Sequence, residues 1–365
     1  MRDHGNFICH CRQLLASLRM GELAQPGTVA RQKAAGIAFH RSPIFLIFLL
    51  LVCGVILEFP LPVAGQSLVT NDARHDTPGQ VIKNGESIHL DVDLALVYVT
   101  VTDPYNRLVT GLEPDNFSVF ENNVEQEIVD FSSEDLPISI GVILDFSGSM
   151  VNKVGKAKEA AIQFLKTANP QDEFFLIAFN DRAQLLSPFT DDVEDLQSRL
   201  LSTNPKGSTA LLDAVYLGLS EMRRARNAKR ALLIISDGGD NHSRYSPNDI
   251  KRLVKESDTQ LYSIGIFDPL QSRARTPEEL SGPSLLSEVT EHTGGRAFTV
   301  ENVSDLPDIA AKIGMELRNQ YVLSYRPSNK AHDSRWRKIK VKLHSPKGLP
   351  PLSVYAKGGY YALHF

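Results

Sequence analysis

The residues with the clearest capacity for chemistry are oxygen donors at three separated places in the chain. Asp145-Phe146-Ser147-Gly148-Ser149-Met150 follows the apolar run Ile138 to Leu144. Gly207-Ser208-Thr209 precedes a helical pattern that begins at Leu211, and Ser236-Asp237-Gly238 ends a second apolar run. Asp145, Ser147 and Ser149 alternate, and a turn through Gly148 can bend three oxygens round one point. Open α/β sheets bind ligands at the carboxyl ends of their strands. If the three segments meet there, Asp145, Ser147, Ser149, Thr209 and Asp237 surround one small volume.

Such a set suits a hard divalent cation. Magnesium takes about six oxygen ligands near 2.1 Å and retains water, whereas the His and Cys ligands that zinc prefers are absent from the set. Three hydroxyls are neutral, so only Asp145 and Asp237 offset the ion's charge. With those two acting partly through water, the cation stays electrophilic and keeps an open position for an external carboxylate. Mg2+ is the expected cofactor, with Ca2+ or Mn2+ as alternatives. The expected partner is a protein ligand presenting an Asp or Glu side chain. Helix capping by Asp and Ser explains the first motif alone, but not the coincidence of three. Asp213, Asp240 and Asn241 read as capping or turn residues, His242 as a solvated loop residue, and Phe146 and Met150 as packing residues.

The elements that must position these donors follow from periodicity. Ile138 to Leu144 has the unbroken apolar character of a strand buried on both faces. After it come helix 151–167, strand 173–179, helices 191–201 and 211–224, strand 230–236, helix 247–257 and strand 260–267. A loop over 268–283, helix 285–293, strand 296–300 and helix 306–319 complete the series. Alternating strands and helices specify an α/β fold, a doubly wound and mostly parallel sheet with helices on both faces. The flanks are different. Residues 87–137 and 320–365 carry period-two patterns and turn signals, including the hairpin signal Glu121-Asn122-Asn123. Each flank alone is marginal as a core, so the two are expected to pair into one β-sandwich-like domain around the inserted α/β domain of 138–319. Lys338, Lys340 and Lys342 alternate with Ile339, Val341 and Leu343, which reads as the outer face of an amphipathic strand.

The three motifs resemble the metal-ion-dependent adhesion site of the von Willebrand factor type A (VWA) domain, with its Rossmann-like sheet. D-x-S-x-S stands as DFSGSM, the distal threonine as GSTALLDAV and the distal aspartate as IISDG. The resemblance implies that Asp145 and Asp237 hold the metal through water while Ser147, Ser149 and Thr209 ligate it directly. It covers about residues 138–319. The flanks, DPYNRLVTGLEPDNFSVFENN and the terminal YVLSYRP and GGYYA, further resemble exported VWA-related proteins of acidobacterial type.

The N-terminus bears on location. Residues 1–43 hold six basic residues against Asp3 and Glu22, and Ile44 to Leu57 is an unbroken apolar run of 14, followed by Pro60, Pro62 and Val63-Ala64-Gly65. That is the order of an export signal over residues 1–65, with a polar linker at 66–86, and it is shorter than the ~20 residues of a membrane span. Membrane contact is expected only if this segment is retained. Cys9, Cys11 and Cys53 all precede the proposed cleavage, so the mature chain has no thiol and suits an oxidising compartment without disulfides. A net charge of −4 over 365 residues gives no support for nucleic-acid binding.

A secreted or periplasmic adhesion module that is not an enzyme is the leading reading. A metal-dependent hydrolase is the second, with His242 as the sole base candidate and no G-x-x-x-x-G-K-[ST], G-x-S-x-G or H-E-x-x-H motif beside it. A subunit assisting an intracellular ATPase or chelatase, as some VWA domains do, is the third, and the export signal argues against it.

Overall fold

Two periodicities in one chain build two kinds of sheet. The structure, a computed structural model, describes residues 80–83, 86–89, 94–267 and 277–362. The basic and apolar N-terminal segments and the three cysteines lie outside the described residues. Among the described residues no helix is long and apolar enough to cross a membrane.

The elements run β1 (Gln80–Lys83), β2 (Glu86–His89), β3 (Ala95–Thr102), β4 (Phe117–Glu121), β5 (Val124–Gln126) and β6 (Ile128–Ser132). Next come β7 (Ile138–Asp145), α1 (Val154–Leu165), β8 (Glu173–Phe179), β9 (Ala183–Thr190), α2 (Val193–Ser202) and α3 (Leu211–Met222). Then follow β10 (Lys229–Ser236), α4 (Pro247–Glu256), β11 (Gln260–Ile266), α5 (Pro277–Thr290), β12 (Ala297–Val300) and α6 (Leu306–Arg318). The last are β13 (Tyr321–Tyr325), β14 (Trp336–Leu343), β15 (Ser353–Ala356) and β16 (Gly359–Tyr361).

The central sheet has the order β12-β11-β10-β7-β8-β9, and only β9 runs antiparallel. Every residue of β7, β8 and β11 is buried, because helices cover both faces. Ile140, Val142 and Leu144 pack with α1, α2 and α6 in one apolar core; Ile143, Phe175, Ile177 and Leu232 pack with α3, α4 and α5 in the other. Gly141 shows how closely the layers fit. A Cβ there would stand 2.2 Å from Phe175 Cζ and 2.5 Å from Leu232 Cδ2.

Strands from the two flanks pair with each other. β13 lies between β3 and β6 in one four-stranded sheet, ordered β15-β3-β13-β6, and β14 pairs with β4 in the other, ordered β16-β14-β4-β5. Val97, Val99, Tyr321 and Leu323 from the first sheet share a core with Phe117, Val119 and Ile339 from the second, which is sandwich packing. The β4–β5 turn uses Asn122 and Asn123, both at positive φ, as a two-residue turn between right-twisted strands requires. Glu121, 2% exposed, accepts hydrogen bonds from the Tyr325 and Tyr360 hydroxyls at 2.9 and 2.8 Å. Lys338, Lys340 and Lys342 face outward while Ile339 is buried.

Four elements differ from the sequence reading. β1 (Gln80–Lys83) lies within the expected linker 66–86 and pairs antiparallel with β2. β9 is an additional strand; it sits at the sheet edge, where Pro188 needs no ladder partner. α5 starts at Pro277 and carries Pro283 inside it, so Pro283 does not end a loop. The arm that follows the hairpin signal Glu121-Asn122-Asn123 is split: β5 ends at Gln126, and β6, after Glu127, belongs to the opposite sheet.

Candidate metal centre

Sheet topology decides where the donors go. From β7 the chain moves to β8 on one side and later returns to β10 on the other. The carboxyl ends of β7 and β10 therefore form the topological switch point, the ligand crevice of open α/β sheets. The strands pair in parallel with Ile235 opposite Leu144, so Asp145 and the Ser236-Asp237 pair emerge side by side.

Asp145 is fully buried. Its Oδ1 accepts the Ser147 backbone N–H at 2.8 Å and its Oδ2 accepts the Ser236 hydroxyl at 2.6 Å. Burial pushes its carboxyl up to about 7, and the neighbouring Asp237 carboxylate adds to the rise; bonds from Ser147 and Ser236 oppose it. Two crowded carboxylates in a desolvated crevice favour a cation beside them.

After Asp145 the chain makes a single 3-10 turn, Gly148–Met150, before α1. The turn folds the Ser147 and Ser149 hydroxyls to 3.1 Å from each other. Phe146 and Met150 are buried beneath it in the α1–α6 core, as packing residues. Gly148 is exposed and its N–H donates to the Gly207 carbonyl at 2.9 Å, while the Lys206 N–H donates to the Phe146 carbonyl at 2.8 Å. These bonds bring the segment bearing Thr209 against the DFSGSM turn. Gly207 has φ of 80°, and a Cβ there would lie 2.4 Å from Asp181 Oδ2. Thr209 is 5% exposed; its N–H donates to Asn241 Oδ1 at 3.0 Å and its carbonyl accepts the Asn241 and His242 N–H groups.

The surrounding acids and amides hold backbone. Asp240 accepts the Leu212 N–H at the start of α3 at 2.8 Å, and Asp213 takes the Arg244 N–H and guanidinium at 2.8 and 2.9 Å. His242 is exposed. Three contributors lie outside the five donors of the sequence reading. Ser236 bridges Asp145 and the Gly238 N–H, which lies 2.9 Å from its hydroxyl. Asp181 accepts the Ser208 N–H at 2.6 Å. Lys153 donates to Asp237 Oδ2 at 2.8 Å. Ser236 directly precedes the aspartate of IISDG, a position that could have drawn notice; Asp181 and Lys153 carry no comparable signal.

Asp237 supplies the test of fit for a cation. It is 4% exposed, and its Oδ1 is buried without a hydrogen-bond partner among the described residues. A buried carboxylate oxygen left in this way is costly unless something else satisfies it. A divalent ion, directly or through water, would do so. Among the described residues no group of three or more His, Cys, Asp or Glu is placed to hold a metal. The donor set here is two carboxylates with three hydroxyls, the hard-oxygen chemistry of Mg2+ rather than of zinc.

A model of the von Willebrand factor type A domain matches residues 140–239, the stretch from β7 through Asp237. An uncharacterized protein of Borreliella burgdorferi is 24% identical over 184 residues, which are 45% of this chain and 54% of that protein. Inter-alpha-trypsin inhibitor heavy chain H3 of Pongo abelii is 23% identical over 159 residues, 38% of this chain and 18% of that protein. The chain thus spans about half of the first relative and under a fifth of the second. Among solved structures, von Willebrand factor type A from Catenulispora acidiphila aligns over 73% of this chain and 74% of its own, at 12% identity and a TM-score of 0.44.

Proposed function

From the premise that this chain carries a von Willebrand factor type A domain, we propose that it is an exported, divalent-metal-dependent adhesion module that captures a protein ligand through an exposed Asp or Glu. The observation that carries the proposal is the unpaired, buried Oδ1 of Asp237 at the switch point, beside Asp145 and near the Ser147–Ser149 hydroxyl pair. Asp145, Ser147, Ser149, Thr209 and Asp237 would hold Mg2+, or Ca2+ or Mn2+ in its place. When bound, the ion supplies an electrophilic point that a ligand carboxylate can complete. The chain's own residues shape the rest of the surface. Gly148 is exposed at the turn, and Val151, 55% exposed, offers an apolar contact beside it. His242, the base candidate of the hydrolase reading, is exposed on the loop after Asp240.

The test is capture by immobilised protein in Mg2+, in EDTA and after Asp145→Ala. Capture should be lost in both of the latter. Ligand binding that survives chelation and the substitution would refute the mechanism. Export is tested separately, by fractionating cells that make the full chain; protein confined to the cytoplasm with an intact N-terminus would favour the ATPase- or chelatase-subunit reading.

A further inference from the structure

Lys153 is a cation already present at the centre. It stands at the junction between the 3-10 turn and α1, its backbone fixed by a bond from its N–H to the Met150 carbonyl at 2.8 Å and one from Ala157 N–H to its carbonyl at 3.0 Å. Its side chain is 8% exposed and reaches Asp237 across 84 sequence positions. The two oxygens of Asp237 are thereby divided: Oδ2 takes the ammonium, and Oδ1 remains buried and unpaired among the described residues.

We propose that Lys153 is the centre's resident countercation: it neutralises Asp237 while no divalent ion is bound, opposes metal uptake, and leaves the loaded centre positively charged towards an anionic ligand. The inference rests on the metal-binding reading above and deepens it. The charges make the argument. With Asp145 and Asp237 ionised and Lys153 charged, the crevice carries −1 before a divalent ion arrives and +1 afterwards. Without the lysine those values would be −2 and zero. A buried ammonium within hydrogen-bond range of one ligand repels a nearby divalent ion strongly, because Coulomb terms at a few ångströms are large in a low-dielectric crevice. It also leaves a net positive charge that only an outside anion removes. Metal and carboxylate ligand should therefore bind better together than apart. A purely structural ion pair predicts none of this.

The measurement is Mn2+ affinity, read by the loss of the free-ion electron-paramagnetic-resonance signal at constant pH. Wild type is compared with Lys153→Met, Lys153→Gln, Lys153→Arg and Asp145→Ala. The neutral variants should bind Mn2+ about tenfold tighter or better, and Lys153→Arg, which keeps the charge, should stay near wild type. Equal or weaker binding in folded Lys153→Met and Lys153→Gln overturns the inference. If wild type binds Mn2+ in an Asp145-dependent way while the neutral variants merely match it, the metal reading stands and the lysine inference alone falls. If neither wild type nor the neutral variants bind Mn2+, both fall. Folding is followed by circular dichroism. Should both neutral variants fail to fold, Lys153 is a structural element and the inference is overturned.

Discussion

Gly238 and Gly282 touch backbone to backbone beside the centre, and substituting them separately tests how Asp237 is held in place. Gly238 has φ of 81°, and a Cβ on it would lie 2.5 Å from the Gly282 carbonyl carbon. A Cβ on Gly282 would lie 2.5 Å from the Asp237 carbonyl oxygen and 2.7 Å from the Gly238 carbonyl carbon. Both contacts involve main chain, so neither is relieved by a rotamer change. Gly238→Ala carries the left-handed penalty of roughly 1–2 kcal/mol as well as an overpacking penalty of roughly 1–3 kcal/mol, together about 2–5 kcal/mol. Gly282→Ala meets the same crowding, but it lies within α5, where alanine gains about 1 kcal/mol over glycine; its net effect is about 0–2 kcal/mol. Urea unfolding, analysed as midpoint and slope, gives the two free energies, and Mn2+ titration of the same samples reports whether Asp237 has moved. Gly238→Ala should be the more destabilised by roughly 2–3 kcal/mol and should bind metal more weakly than wild type. A Gly238→Ala protein as stable as Gly282→Ala would refute the reasoning, because it would mean that neither the positive φ nor the close approach constrains the loop.

Lys229, 1% exposed, donates to the Leu317 carbonyl, and burial pushes its ammonium down from 10.5 to about 8. Between those values the unfolded chain binds a proton that the folded chain has released, so stability should rise with pH from about 8 to 10.5 by about 3 kcal/mol relative to Lys229→Met; a difference between the two proteins that stays constant across that range would contradict the assignment. Ending the chain at Asn319 removes β13, which separates β3 from β6, and β14, the partner of β4, so residues 94–137 should lose slow hydrogen exchange; retained protection there would show that the N-terminal flank folds alone.

The fold was legible wherever burial is uniform. β7 and β8 are covered on both faces, so their apolar runs announced strands, with the ends of β8 as the structure gives them and β7 one residue longer, through Asp145. The period-two run of β14 was equally plain, because one face meets the sandwich core and the other meets water. Legibility failed where proline has two meanings. Pro188 is admissible at the edge position of β9, and Pro283 lies within α5; each reads locally as a break. It failed again at β6, because a change of sheet after Glu127 is decided by pairing with β13, some 190 positions onward, and no local pattern encodes that choice.

The centre divides along a related line. The five oxygen donors stood out because strand ends and loop starts have local signatures, yet the residues that fix those donors are scattered. Ser236 holds Asp145 and the Gly238 N–H, Asp181 holds the Ser208 N–H, and Asn241 holds the Thr209 N–H. Each relieves a motif residue or its neighbour of a main-chain or carboxylate demand that would otherwise compete for the motif's own oxygens. Lys153 does the converse and occupies one oxygen of Asp237. Under the proposed function, uptake of an ion and then an anion calls for both kinds of neighbour: supports that leave donors free, and a charge that keeps the site from closing on the metal alone. The donor types show what the site can bind, while these long-range contacts set how readily it does so.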